Sequence, residues 1–334
     1  MKKLAYYINK HAILILLVLI CMTSGFLLWI QREEEANVFI SKPKYHFYLI
    51  AQNSVDPFWK ELKLGLEAAA REQKVVVEFN APRFNNPQEE LRFLDIAVTS
   101  EVDGIITHVS TGSEYTGLIN KAIEKGIPVV TLENDEKASD RNAFVGTNSF
   151  ELGKAAAELM IKATAERANI AVIVSNDLEP DLTSQNLKMN GFLSTLKDFP
   201  GMKVVKTYTS KMGILSAEEI TQQIISGPDN INAIFTTSSV DTIGSAQLVV
   251  DRNRVGSIAI VGYGDTDDIL RYISKDIIYG TVMSDPYRMG YESINALIDI
   301  KEKNNVSTFI DTGVKVITKD NVEEYQQKSA TMKE

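Results

Sequence analysis

Positions 56–59, Asp-Pro-Phe-Trp, set two aromatic rings beside a carboxylate. Sugars have apolar C–H faces that rings can cover and hydroxyl rims that carboxylates and amides can bond. Asp56 and Pro57 also suit an N-cap and a first helical turn, so plain helix initiation is the simpler alternative. Phe58 and Trp59 are adjacent, and at 3.6 residues per turn they cannot both face a core. One of them is expected to face a cleft, with Asp56 and Trp59 both at its rim. Glu133-Asn134-Asp135 follow an apolar run, as a solvated loop or as a polar site at an open sheet edge. Lys188 stands four residues before Phe192, where a surface role and a cleft role are both open. Gly262-Tyr263-Gly264-Asp265-Thr266-Asp267-Asp268 evokes a dinucleotide fingerprint but lacks the third glycine. It fails as a calcium loop as well, because Ile269-Leu270 stand where ligands are needed. Asp265 reads as a helix cap that can also accept sugar hydroxyls. His108 reads as a satisfied structural histidine.

The elements that must hold these residues alternate with unusual regularity from Tyr45 onward. Strand-like runs fall at 45–51, 75–80, 104–109, 127–132, 169–175, 202–208, 232–237, 257–263 and 277–283. Helical patterns lie between them, at 57–73, 87–101, 115–125, 149–166, 184–198, 214–226, 239–252, 266–275 and 286–304. In the first of these, Phe58, Leu62, Leu66 and Ala69 form an apolar stripe. Near-continuous apolar strands alternating with helices mean parallel sheets covered on both faces. Stop signals such as Gly126-Ile127-Pro128 and Gly227-Pro228 close several helices. Nine such units exceed a TIM barrel and pair too evenly for one sheet, so two doubly wound lobes are expected. Ligands of such sheets sit at the carboxyl ends of the strands, where the polar groups named above fall.

Residues 12–30, AILILLVLICMTSGFLLWI, carry no charge. Nineteen residues at about 1.5 Å each give a helix of about 28 Å, close to the thickness of a bilayer's hydrocarbon core. Lys2, Lys3 and Lys10 precede this segment, and Arg32 with Glu33, Glu34 and Glu35 follow it. The lysines argue for a cytoplasmic N-terminus and an exported body. Trp29-Ile30-Gln31-Arg32 offers no signal-peptide cleavage site, so an uncleaved single-pass anchor is expected over a cleaved signal. Cys21 follows Leu19-Ile20, which does not suit lipoprotein processing. Residues 31–43 read as a polar stalk. About 300 residues remain behind the anchor, enough for two lobes with separate cores. The net charge of −9 disfavours nucleic acid and anionic lipid as partners. The only cysteine lies in the apolar segment, which leaves the body without a disulfide or a Cys-based metal site. Three scattered histidines make no metal centre, and no cofactor is expected.

The order of the motifs resembles a known family. DPFW after the first strand, TLEND after the fourth, GTNSFELG opening the next lobe, and VGYGDTDD followed by GTVMSDPYRMGY look like the type I periplasmic sugar-binding proteins, the ribose-binding protein group. The resemblance runs from about Tyr45 to Tyr325. It implies two similar lobes closing on a monosaccharide and joined by three crossovers near Gly146-Thr147, Ser284-Asp285 and Asp311-Thr312. The lobes would then comprise 44–146 with 285–311, and 147–284 with 312–328, behind an N-terminus of 1–11, an anchor of 12–30 and a linker of 31–43. Carried over residue by residue, the sugar contacts fall on Asp56, Phe58, Trp59, Glu133, Asn134, Lys188, Met212, Ser238, Asp265 and Ser284. The pocket departs from the family's at several of these. Glu133-Asn134 keeps an acid but loses a bidentate guanidinium, and Lys188 is a point charge where the family has a fork. Met212 stands for a stacking ring, Ser238 for an asparagine and Ser284 for a glutamine. Asp265 serves only after a shift of one residue.

Three function classes follow. The first is a membrane-anchored sugar sensor, with a pentose such as xylose or ribose as ligand and a membrane histidine kinase as partner. The second is the binding subunit of a sugar ABC importer. An enzyme is disfavoured because no Gly-x-Ser-x-Gly elbow, His-Glu-x-x-His or Walker loop occurs.

Overall fold

β-Branched and aromatic runs become strands, and the striped segments become helices, close to where their periodicities place them. The computed structural model describes residues 20–26, 43–110, 113–175, 182–211 and 213–333. The first lobe starts β1 (His46–Ile50), α1 (Pro57–Gln73), β2 (Val76–Asn80), α2 (Pro87–Thr99), β3 (Gly104–His108), α3 (Ser113–Glu124), β4 (Val129–Leu132), β5 (Ala143–Gly146). The second continues α4 (Ser149–Ala163), β6 (Ala168–Ser175), α5 (Leu182–Leu196), β7 (Met202–Ser210), α6 (Gly213–Ser226), β8 (Ala233–Thr236), α7 (Ser239–Asp251), β9 (Ala259–Tyr263), α8 (Asp267–Ser274), β10 (Gly280–Met283). The chain then returns through α9 (Pro286–Lys303) and β11 (Phe309–Asp311) and crosses back to β12 (Lys315–Thr318) and α10 (Val322–Lys333).

The first sheet has the order β11-β5-β4-β3-β1-β2, with every pair parallel. The second has the order β12-β10-β9-β8-β6-β7 and is parallel except for its edge strand β12, which runs antiparallel to β10. Both sheets are covered on two faces, and the period of two sorts the side chains. Phe47 and Leu49 enter one core cluster, while Tyr48 and Ile50 enter the cluster on the opposite face. In the second sheet Ile170 and Val172 part in the same way from Ala171 and Ile173.

A repeated device packs the helices. In each lobe the helix after the first strand lies on the helix that follows a crossover, and each member of the pair carries a glycine at the contact. A Cβ on Gly65 would meet the Tyr287 carbonyl oxygen at 1.9 Å, and one on Gly290 would meet that of Leu62 at 2.1 Å. In the other lobe a Cβ on Gly153 would meet the Lys188 carbonyl oxygen at 1.9 Å, and one on Gly191 would meet that of Phe150 at 2.0 Å. Where the chain changes lobes, the segments lie side by side: Thr147 Oγ1 is 3.3 Å from Thr312 Oγ1, and the Asn148 N–H donates to Asp311 at 3.2 Å.

Residues from Tyr45 onward form one compact unit. Among the described residues no helix is long and apolar enough to cross a membrane. Of the apolar 12–30 segment, 20–26 is helical and the rest lies outside the described residues.

Candidate functional site

On the first lobe, Asn53 shapes the turn between β1 and α1. It is 5% exposed, and its Oδ1 accepts from the N–H groups of Val55 at 3.2 Å and Asp56 at 2.8 Å. Its Nδ2 donates to Asn85 at 2.7 Å. Held this way, Asp56 caps α1 by accepting the Phe58 N–H at 2.9 Å, and its side chain is exposed. The plain capping reading of Asp56 therefore holds, and its second oxygen stays exposed beside the turn. Trp59 is not at a rim. It is 3% exposed in the core beside Leu62 and Leu66, and its ring meets that of His108 edge-on at 5.4 Å. Phe58, edge-on to Trp59 at 5.0 Å and half-buried, is the ring with open area. The helical stripe explains the difference, since Trp59 shares the buried face with Leu62 and Leu66.

After β4, Glu133 adopts φ 64°, a left-handed conformation that costs a non-glycine residue about 1–2 kcal/mol. The three acceptors that follow the strand then divide. Asp135 is gripped by the Arg141 guanidinium, with Nη2 donating at 2.6 Å and Nε to the other oxygen, and it accepts from Thr131 Oγ1 at 3.0 Å. Glu133 and Asn134 stay half-buried, with Asn134 Nδ2 at 3.3 Å from His108 Nε2.

On the second lobe, two of the expected residues, Ser284 and Lys188, meet one that sequence reasoning passed over, Tyr263 at the end of β9. Its hydroxyl is 3.4 Å from Ser284 Oγ, and Lys188 Nζ stands 5.0 Å from its ring centroid in a cation–π contact. Burial, and then the charge of Glu133 from the other lobe, push the phenol up to about 12, with Asp265 adding to the rise. Tyr263 therefore stays protonated at neutral pH, able both to donate and to accept. The signal for it was its place in the VGYGD run, directly at a strand's carboxyl end.

Asp265 does not cap α8. The N-cap is Thr266, which makes no side-chain cap bond, and Asp265 Oδ2 instead accepts from the Tyr325 hydroxyl at 2.6 Å. That partner arrives from α10, sixty positions away, where no local pattern announces it. Ser238 is engaged at the N-terminus of α7, accepting from the Asp241 N–H at 3.1 Å and donating to Asp241 Oδ2 at 2.8 Å. Met212 lies outside the described residues.

A second set of charges ties the lobes. Lys315 Nζ on β12 is 3.1 Å from Glu61 on α1 and 3.1 Å from Asp285, the N-cap of α9. Burial draws the Lys315 ammonium down, but Glu61 and Asp285 more than reverse this and hold it above its usual range. Burial raises the Glu61 carboxyl, and Lys315 offsets part of the rise. Burial and then Asp265 likewise raise the Tyr325 hydroxyl. Among the described residues no group of His, Cys, Asp and Glu could hold a metal ion.

Two doubly wound lobes, with acids and hydroxyls at or after strand ends, are the architecture of a binding protein for a small polar ligand. Residues 47–305 match the periplasmic binding protein domain, and the chain belongs to that family. It is similar to GanP, a glucose-galactose binding protein from Geobacillus stearothermophilus, at 32% identity and a TM-score of 0.74, over 84% of this chain and 99% of that one. It is also similar to a chain of the XylFII–LytSN complex, at 35% identity and a TM-score of 0.70, over 83% of this chain and 98% of that one. The ribose import binding protein of Bacillus subtilis (strain 168) is 19% identical over 294 residues, 87% of this chain and 91% of that protein. GanP and the Bacillus subtilis protein are both sugar-binding proteins.

Proposed function

We propose that this chain is a membrane-anchored, extracytoplasmic monosaccharide-binding protein that closes on its sugar and signals to a membrane histidine kinase. The observation that carries the binding is the convergence on Tyr263 of Ser284, Lys188 and the charges of Asp265 and Glu133, drawn from both lobes. A neutral phenol, a hydroxyl, an ammonium and carboxylates together match a rim of sugar hydroxyls, each of which donates and accepts. Phe58 supplies the adjoining apolar wall. A pentose such as xylose or ribose is the favoured ligand, and the ribose import relative supports that class. A sugar that bonds both lobes has a higher affinity for the closed form and shifts the population toward it.

The anchor supports the sensor reading. An uncharged 12–30 segment behind Lys2, Lys3 and Lys10 fixes the body beside proteins of the same membrane and raises their effective concentration. The XylFII–LytSN neighbour supports a protein partner for this lobe architecture. The import relative favours a second reading, the binding subunit of a sugar ABC importer. A pull-down with sensor-kinase ectodomains and with an ABC permease, each with and without sugar, separates the two. Sugar-dependent capture of a kinase ectodomain is expected, whereas capture by the permease alone would establish the importer. Mass spectrometry of the membrane-extracted protein checks the anchor: Met1 or Lys2 should remain, and a mature N-terminus near residue 30 would remove it.

A further inference from the structure

Glu90 on α2 is fully buried. Its carboxylate meets His108 Nδ1 at 2.9 Å and accepts from Ser110 Oγ at 3.0 Å and the Tyr115 hydroxyl at 3.4 Å. Burial, then the charge of Glu90, push the Tyr115 hydroxyl upward, so it keeps the proton it donates. Stability does not explain such a group. Desolvation of a buried polar pair offsets its attraction, and apolar side chains of similar volume serve as well or better. Its position offers an explanation. His108 closes β3 at the sheet end where ligands bind, and its Nε2 lies 3.3 Å from Asn134 Nδ2.

The protons follow from what each group can do. A carboxylate only accepts, so the proton of a neutral imidazole sits on Nδ1 and leaves Nε2 as the acceptor. An acceptor at Nε2 takes an N–H from Asn134, which turns the amide oxygen the other way. Trp59, edge-on to His108 at 5.4 Å, limits the ring's freedom to swing out of this arrangement.

We infer that Glu90 and His108 form a relay that fixes the Asn134 amide, so that Asn134 Oδ1 is presented to the cleft as an acceptor for a ligand hydroxyl. The inference rests on the sugar-binding reading. Glu90 and His108 are positioning residues that do not touch the ligand. Together with the Glu133 carboxylate, the fixed amide makes this edge of the cleft rich in acceptors. It selects a ligand that brings two neighbouring hydroxyls as donors and turns away one in which fluorine or a methyl ether replaces them.

The chain has three histidines, which suits selective 15N-histidine labelling of the full chain in detergent. The His108 Nδ1 should carry the proton and Nε2 should give the shift of an unprotonated imidazole nitrogen. A protonated Nε2 overturns the relay whatever the sugar result. The second arm is calorimetry with D-xylose, D-ribose, L-arabinose, D-glucose and D-galactose. The double variant Glu90→Leu/His108→Leu removes both buried polar groups together and is expected to weaken sugar affinity about tenfold. Glu90→Gln/His108→Gln puts an amide oxygen close to where Nε2 stood and is expected to restore the affinity to within about threefold. Unchanged affinity in the leucine variant overturns the relay while the sugar reading stands. A wild-type chain that binds none of the five sugars overturns the sugar reading and the relay's role with it.

Discussion

Trp59 and Phe58 are neighbours in sequence with opposite duties. Trp59→Ala empties a core site and is expected to cost about 3–5 kcal/mol of stability in denaturant unfolding. Phe58→Ala, at a half-buried wall, is expected to spare the fold and weaken sugar binding by about 1–3 kcal/mol in calorimetry. A reversed pair of results would place Trp59 in the cleft. Adjacency showed that the two rings must diverge, but the choice between them depended on which face of α1 meets Leu62 and Leu66. Tyr263 has a separate signature. Its value of about 12 in the folded state lies above the 10.0 of an exposed tyrosine. Its contribution to stability is therefore fully present below pH 10 and lost as pH rises toward 12, on the order of 2–3 kcal/mol. Denaturant unfolding across pH 9–12 (about the range in which tyrosine titrates) should show that loss, and Tyr263→Phe should reduce the alkaline limb while the part owed to Tyr115 and Tyr325 remains. An alkaline limb unchanged by Tyr263→Phe would contradict the account of this residue.

Most helices and strands were legible, but the closing helix α10 and the strands β5, β11 and β12 were not. The helices at 57–73 and 286–303 emerge from apolar stripes together with Asp-Pro starts. The strands β5, β11 and β12 hold only four, three and four residues, whereas the equally short β4, β8 and β10 lie inside longer apolar runs. The site follows the same rule. Glu133 and Asn134 were visible because they follow a strand, and Lys188 because it stands on a helix four residues before Phe192. Tyr325 and Lys315 reach Asp265 and Glu61 only through tertiary packing and have no local mark. The glycine pairs add a constraint that no stripe reveals. At Gly290 a methyl group would stand 2.1 Å from the Leu62 carbonyl oxygen, which is backbone and cannot swing aside. Although alanine is the better helix former, Gly290→Ala is expected to destabilise the protein by roughly 1–3 kcal/mol, measured by urea unfolding. A stabilised variant would mean that α1 and α9 are not in backbone contact.

At the scale of the whole molecule, two sheets each present polar residues at their carboxyl ends, and Lys315 bridges β12 to Glu61 on the first lobe. A ligand between such lobes does work only by favouring one arrangement, so binding and the signalling proposed above would share one equilibrium. The cleft is proposed to take a monosaccharide through groups from both lobes. Titration calorimetry of the full chain with the five-sugar panel, repeated on Glu133→Ala, tests it most directly. One sugar is expected to saturate a single site, to add about 2.7 kcal/mol of stability at 100 times its Kd, and to bind Glu133→Ala about 1–3 kcal/mol more weakly. A panel that produces neither heat nor stabilisation, or a sugar whose affinity is indifferent to Glu133→Ala, would contradict the account.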